Sequence, residues 1–266
     1  MDQATLDHFL ASLGPDMILV GGQALAFWMD RYGLRGPDDF ITVDADALGN
    51  KAAARELAAR LNAQFKAPPD SALTSLVAQV RVRRGSGRVA NMDVLHKLYQ
   101  LGGLRKSTEF TTRVIERSVP AVHPDGFTFR VMDPFDLLDS RIQNAAGLLG
   151  DKGPHVLTQA TWAIAVAREG LLRHARAEAK DDTTVKRSGA IIQAIVRLAK
   201  SAAGRRVFLE HGIDVLAAVD VKALRKLLPG HGQQLDKVEE AARARAKPSA
   251  PQVPPTTPPR ARRGPR

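Results

Sequence analysis

The feature that most constrains the fold is a single run, "MILVGGQALAFWMDRYG", residues 17–33. Four apolar residues, Met17 to Val20, read as a short buried strand. They run without a linker into Gly21 and Gly22, and then into helix formers that close at Gly33. A strand that turns into a helix within two glycines needs a sheet with helices packed on it. Glycine lacks Cβ, so the turn can be sharp and a ligand can come close to the backbone. The free N–H groups and positive dipole end of the following helix suit a phosphate. A tight strand–helix turn with no ligand is the plainer alternative.

Several further elements are legible. "ATLDHFLASL" (4–13) has helical spacing and stops at Gly14-Pro15. "FITVDAD" (40–46) reads as a strand, and residues 50–65 as a helix with Asn50 as N-cap. Residues 73–84 and 88–95, joined by "GSG", predict a β-hairpin. Residues 109–123 and 127–134, around "PDG", predict a second one. From Pro134 onward the pattern is helical almost to residue 246. "IIQAIVRLAKSAAGRRVFLEHG" reads as one amphipathic helix or a pair, and Trp28 and Trp162 as packing residues. The chain divides into an α/β half (1–132), a helical half (133–246) and a Pro/Arg-rich tail (247–266). That tail is expected to be disordered, because it offers little apolar surface to offset its ordering entropy.

Charge is unevenly spread. The net charge is +11, and residues 241–266 hold seven Lys or Arg with no acid, which leaves +4 on residues 1–240. Affinity for polyanions is therefore expected mainly of the tail. With no cysteine, disulfides and thiolate metal sites are excluded. The first residues lack the pattern of a signal peptide, and no apolar run suffices to span a bilayer; a cytoplasmic location is expected.

The chemistry concentrates in acids. Asp44 and Asp46 stand two apart in a strand-like run, so they share a face. Two adjacent carboxylates raise each other's proton affinity unless a cation lies between them. Mg²⁺ suits the need, because it takes oxygen ligands from one or two carboxylates and from substrate phosphates. Asp93, an acid within the apolar run "VANMDVL", offers a third carboxylate. Ser107 and Thr108 are read as loop residues, and His96 as a rim histidine. Arg141 and Lys152 are candidates to meet phosphate; Arg141 could equally pair with Asp136 or Asp139.

Together, "VGGQAL…TVDAD…NMDVL" resembles the nucleotidyltransferase superfamily of the polymerase-β type, and within it the AbiEii-like and minimal nucleotidyltransferases. The resemblance spans residues 17–95 and implies an α+β fold: a mixed sheet flanked by helices, followed by a helical domain. It implies that Gly21, Gly22, Thr42, Arg141 and Lys152 contact the nucleotide. Asp44, Asp46 and Asp93 would hold two Mg²⁺ ions, and Asp93 would take the acceptor's proton. The implied reaction moves a nucleoside monophosphate from an NTP to RNA such as tRNA, or to a protein hydroxyl. A toxin or phage-defence role with a cognate antitoxin is implied as well. The interval from Gly22 to Asp44, 21 residues, exceeds that of compact members. The competing reading is an inactive module of the same fold that binds nucleic acid.

Overall fold

A computed structural model describes residues 3–34, 44–69, 71–83, 89–181, 183 and 185–246. The first helix, α1 (Gln3–Ser12), leads to β1 (Ile18–Val20), which passes directly into α2 (Gly21–Arg31). Then follow β2 (Ala45–Leu48), α3 (Lys51–Arg60), β3 (Gln64–Lys66), β4 (Leu76–Arg83) and β5 (Val89–Leu95). After α4 (Leu104–Arg117) come the hairpin strands β6 (Val119–Val122) and β7 (Thr128–Val131). The rest is helical: α5 (Pro134–Gly147), α6 (Leu149–Lys152), α7 (His155–Lys180), α8 (Ser188–Lys200), α9 (Ala202–His211), α10 (Val221–Leu227) and α11 (Gly232–Ala246).

The seven strands form one mixed sheet in the order β3-β4-β5-β2-β1-β7-β6. Its central pairs alternate in sense: β5–β2 is parallel, β2–β1 antiparallel and β1–β7 parallel. In β2, β5 and β4 one face is apolar and buried, with Ala45, Ala47, Met92, Val94, Ala78 and Val80. The opposite face of the same strands carries Asp46, Asn91, Asp93, Gln79 and Arg81, each half-buried. Period-two alternation produces this split, and it brings the polar side chains into one row.

The buried apolar cluster continues from the sheet into the helical half. Helix α2 joins the two, packing on α5 and α7. The indole Nε1 of Trp28 donates to the Met132 carbonyl at 2.8 Å, at the exit from β7. Phe27 meets Trp28 and Phe129 edge-to-face. Trp162 is half-buried against the same core.

Three expectations need correction. The segment 109–117 is not the first strand of a hairpin; it belongs to α4. Its Thr, Val and Ile content suggests a strand, but Ser107, Phe110, Thr111 and Val114 recur at helical spacing and form the buried face. Ser107 and Thr108 accordingly lie on this helix and not on a loop. The Ser107 hydroxyl accepts from the Gln100 N–H, and the Thr108 hydroxyl donates to the Leu104 carbonyl. Helix α3 starts as expected, with the Asn50 side chain accepting from Ala53 N–H, but ends at Arg60. Asn62 takes a left-handed conformation (φ 47°), and the chain turns into the short strand β3. Asparagine tolerates that conformation better than most residues. The hairpin turn 85–87 and the tail 247–266 lie outside the described residues. No helix among the described residues is long and apolar enough to cross a membrane.

Replacing Trp28 with Phe removes the hydrogen bond that ties α2 to the end of β7. The expected cost is about 1–3 kcal/mol in urea unfolding; an unchanged midpoint would contradict the role given to this contact.

Candidate functional site

The start of α2 fixes the first wall of the site. Val20 is extended and Gly21 has φ +73°, a value that L side chains rarely adopt. Val20 pairs with Asp46 across β1–β2. A Cβ on Gly21 would lie 2.1 Å from Asp46 Oδ2. Gly21 is therefore needed twice, for its backbone angle and for the room it leaves this carboxylate. Gly22 follows inside the first turn, buried.

Asp46 pairs in turn with Asp93 across the parallel β2–β5 ladder, so the two carboxylates leave the same face of neighbouring strands. Asp44 stands just before β2 and not within it, and is exposed. Asn91 Nδ2 donates to Asp44 Oδ1 at 3.2 Å, which holds Asp44 on the Asp93 side of the sheet. Gln79, opposite Asp93 on β4, donates through Nε2 to Asp93 Oδ1 at 2.9 Å. Arg81 Nη2 donates to Gln79 Oε1 at 2.6 Å. Each outer acid thus leans on an amide. Beside this row lies a cavity of about 870 Å³ whose lining includes Arg81, Arg83 and Asn91.

Burial is the largest influence on both Asp46 and Asp93 and raises their proton affinity. For Asp46, the charges of Arg141 and Lys152 oppose that rise, while Asp93 and Asp44 add to it. For Asp93, the Gln79 hydrogen bond opposes it, Asp44 adds to it, and Lys152 and Arg81 oppose it. Removing water from a carboxylate and crowding it with another both disfavour the charged form. A divalent cation relieves the same strain as a proton. Carboxylate oxygens are the hard donors that Mg²⁺ prefers.

The helical half contributes cations. Arg141, on α5, is 7% exposed. Its Nη1 donates to Gln159 Oε1 at 2.9 Å and its Nη2 to Ser140 Oγ at 3.2 Å. Burial lowers its proton affinity, and the charge of Asp46 supports it. Asp136 and Asp139 do not pair with Arg141. They are held by Arg113 at 2.8 and 2.6 Å, on the opposite side of α5, and burial pushes the Asp136 carboxyl up to about 6 against the pull of Arg113. Lys152 is exposed at the end of α6. Thr42 lies outside the described residues. His96 is exposed at the end of β5, as a rim residue would be.

Gln79, Asn91 and Arg81 escape a search for acidic motifs. The signal that exposes them is the alternation in "VAQVRVR" and "VANMDVL", which puts them on the face of Asp93.

The three acids do not bring one oxygen each within 4.8 Å of one another. Among the described residues the group that does is Asp7, His123 and Asp125. There His123 Nε2 lies 3.2 Å from Asp7 Oδ1, and Nδ1 accepts from Asp125 N–H at 3.2 Å. With both ring nitrogens engaged, and Phe127 stacked at 4.3 Å, this group ties α1 to the β6–β7 turn.

No protein-family model matches the chain, and no curated protein matches it closely enough to count as a relative.

The raised proton affinity of Asp46 has a stability consequence. The folded state keeps the proton above the unfolded carboxyl's pKa, so stability falls as pH rises from that value through the raised one. The net direction already includes the support Asp46 gives to Arg141. In a metal-free buffer Asp46→Asn should therefore be more stable than the wild type at neutral pH, with the gap closing towards acid. Urea titrations at both pH values check this, and a less stable variant at neutral pH would refute it.

Proposed function

We propose that the chain is a Mg²⁺-dependent nucleotidyltransferase of the polymerase-β type. The observation that carries the reading is the pairing of Asp46 with Asp93 across β2–β5, with Asp46 set against Gly21 at the start of α2. Acids from two separate stretches of sequence meet beside a helix N-terminus suited to phosphate. The mixed sheet flanked by helices is compatible with the proposed fold.

In this reading the acceptor hydroxyl oxygen bonds to the α-phosphorus of an NTP, and the bond from that phosphorus to the bridging oxygen breaks. Pyrophosphate leaves with the bonding electrons. The hydroxyl proton passes to Asp93 Oδ2, because Oδ1 is occupied by Gln79. The first N–H groups of α2 would meet the triphosphate, while the space beside Gly21 is taken by the Asp46 carboxylate, and the exposed Lys152 offers a charge to the same acids. Arg141 supports Asp46 from behind and stays out of reach of solvent. Asp44, Asp46 and Asp93 would hold Mg²⁺, which when bound neutralises charge on the phosphoryl oxygens. Most of the acceleration would come from positioning and charge compensation.

Transfer of label from each of four α-labelled NTPs, with bulk tRNA and with the protein itself as acceptors, tests the reading. Wild-type protein with Mg²⁺ should incorporate label from at least one of them. Asp46→Asn and Asp93→Asn should each lower the rate about a hundredfold or more. Incorporation that survives both substitutions would refute the assignment.

A further inference from the structure

We propose that the cleft between α9 and α11, floored by α8, docks an acidic amphipathic helix of a partner protein. This inference is independent of the nucleotidyl-transfer reading. The cleft encloses about 520 Å³. Its apolar lining includes Val196, Phe208, Leu209 and Ala241. Leu209 is 75% exposed and extends the apolar lining of the cleft beside Phe208. Phe208 is held in place from one side, because Arg245 lies over its ring at 5.1 Å and is anchored to Asp214 at 2.7 Å and to the Ala199 carbonyl.

The charges around this apolar lining select the occupant. Lys200, Arg205 and Lys237 line the cleft and are exposed. None of them pairs with a carboxylate among the described residues, and Glu240 is the one acid in the lining. The chain's own tail, residues 247–266, is a poor fit, because it carries Lys247 and four arginines and no acid. A second copy docked face to face would set each set of three cations against its twin. Nucleic acid would meet the cations but find no use for Leu209 and the alanines, and one face of Phe208 is already covered by Arg245. A helix with apolar residues at i, i+3, i+4 and i+7 and carboxylates on its flanks satisfies both the floor and the rim.

The test uses the full chain and a fluorescein-labelled helical peptide of about five turns, with Leu at that spacing and Glu elsewhere. A companion peptide carries Lys in place of Glu. Fluorescence anisotropy at physiological salt should show binding of the acidic peptide and none of the basic one. Leu209→Ser and Lys237→Glu alter exposed positions and should leave the circular dichroism spectrum unchanged. Each should weaken binding about tenfold. Binding of the acidic peptide that neither substitution weakens would overturn the proposal, because the basic tail or general charge would then account for it. So would a Leu209-dependent dimer in sedimentation, which makes a second copy the occupant. Leu209-dependent binding of a labelled peptide of residues 247–266, or of a labelled oligoribonucleotide, would overturn it in the same way.

Discussion

A carboxylate withdrawn from water and set beside another carboxylate is the constraint on which the rest of this structure depends. Asp46 is in that position. The parallel pairing of β2 with β5 puts Asp93 next to it, and the β1–β2 pairing puts it over the first residue of α2. Neither neighbour is negotiable. A one-residue slip of β2 against β5 would turn Asp46 into the apolar face occupied by Ala45, Ala47, Met92 and Val94. A side chain at Gly21 would collide with the carboxylate. The folded state accepts this electrostatic cost, and groups perturbed in this way cluster at functional sites.

The compensation comes from parts of the chain far away in sequence. Arg141 arrives from α5 and sits with its guanidinium among Gln159 and Ser140. A buried guanidinium held only by neutral partners would itself be costly, so the charges of Asp46 and Arg141 support each other across the boundary between sheet and helices. Gln79 and Asn91 perform the finer task of orienting the outer acids with neutral amides, which adds no net charge to the row. Arg113 meanwhile occupies Asp136 and Asp139 on the opposite side of α5, so the helix that presents Arg141 is clamped from behind.

Much of this was legible in the sequence because it depends on short-range periodicity. A β-strand running into two glycines carries its geometry with it, whereas Asp44, read as sharing a strand with Asp46, stands just before β2 and is exposed. The features that were not legible depend on choices made at a distance. Helix α4 looks like a strand by composition, and only the spacing of Phe110, Thr111 and Val114 against the core makes it a helix. The end of α3 turns on a single left-handed residue, Asn62. Arg141 has Asp136 and Asp139 close by in sequence, yet their partner is Arg113, because helix geometry sends them to another face. Gln79 and Asn91 gain meaning only once the strand register is known.

Titration of the protein with Mn²⁺, a spin-active substitute for Mg²⁺, tests the central claim most directly, with free ion followed by electron paramagnetic resonance. The account predicts that the wild-type protein removes free Mn²⁺ from solution and that a variant with Asp44, Asp46 and Asp93 all changed to Asn does not. Equal uptake of Mn²⁺ by the two proteins would contradict it.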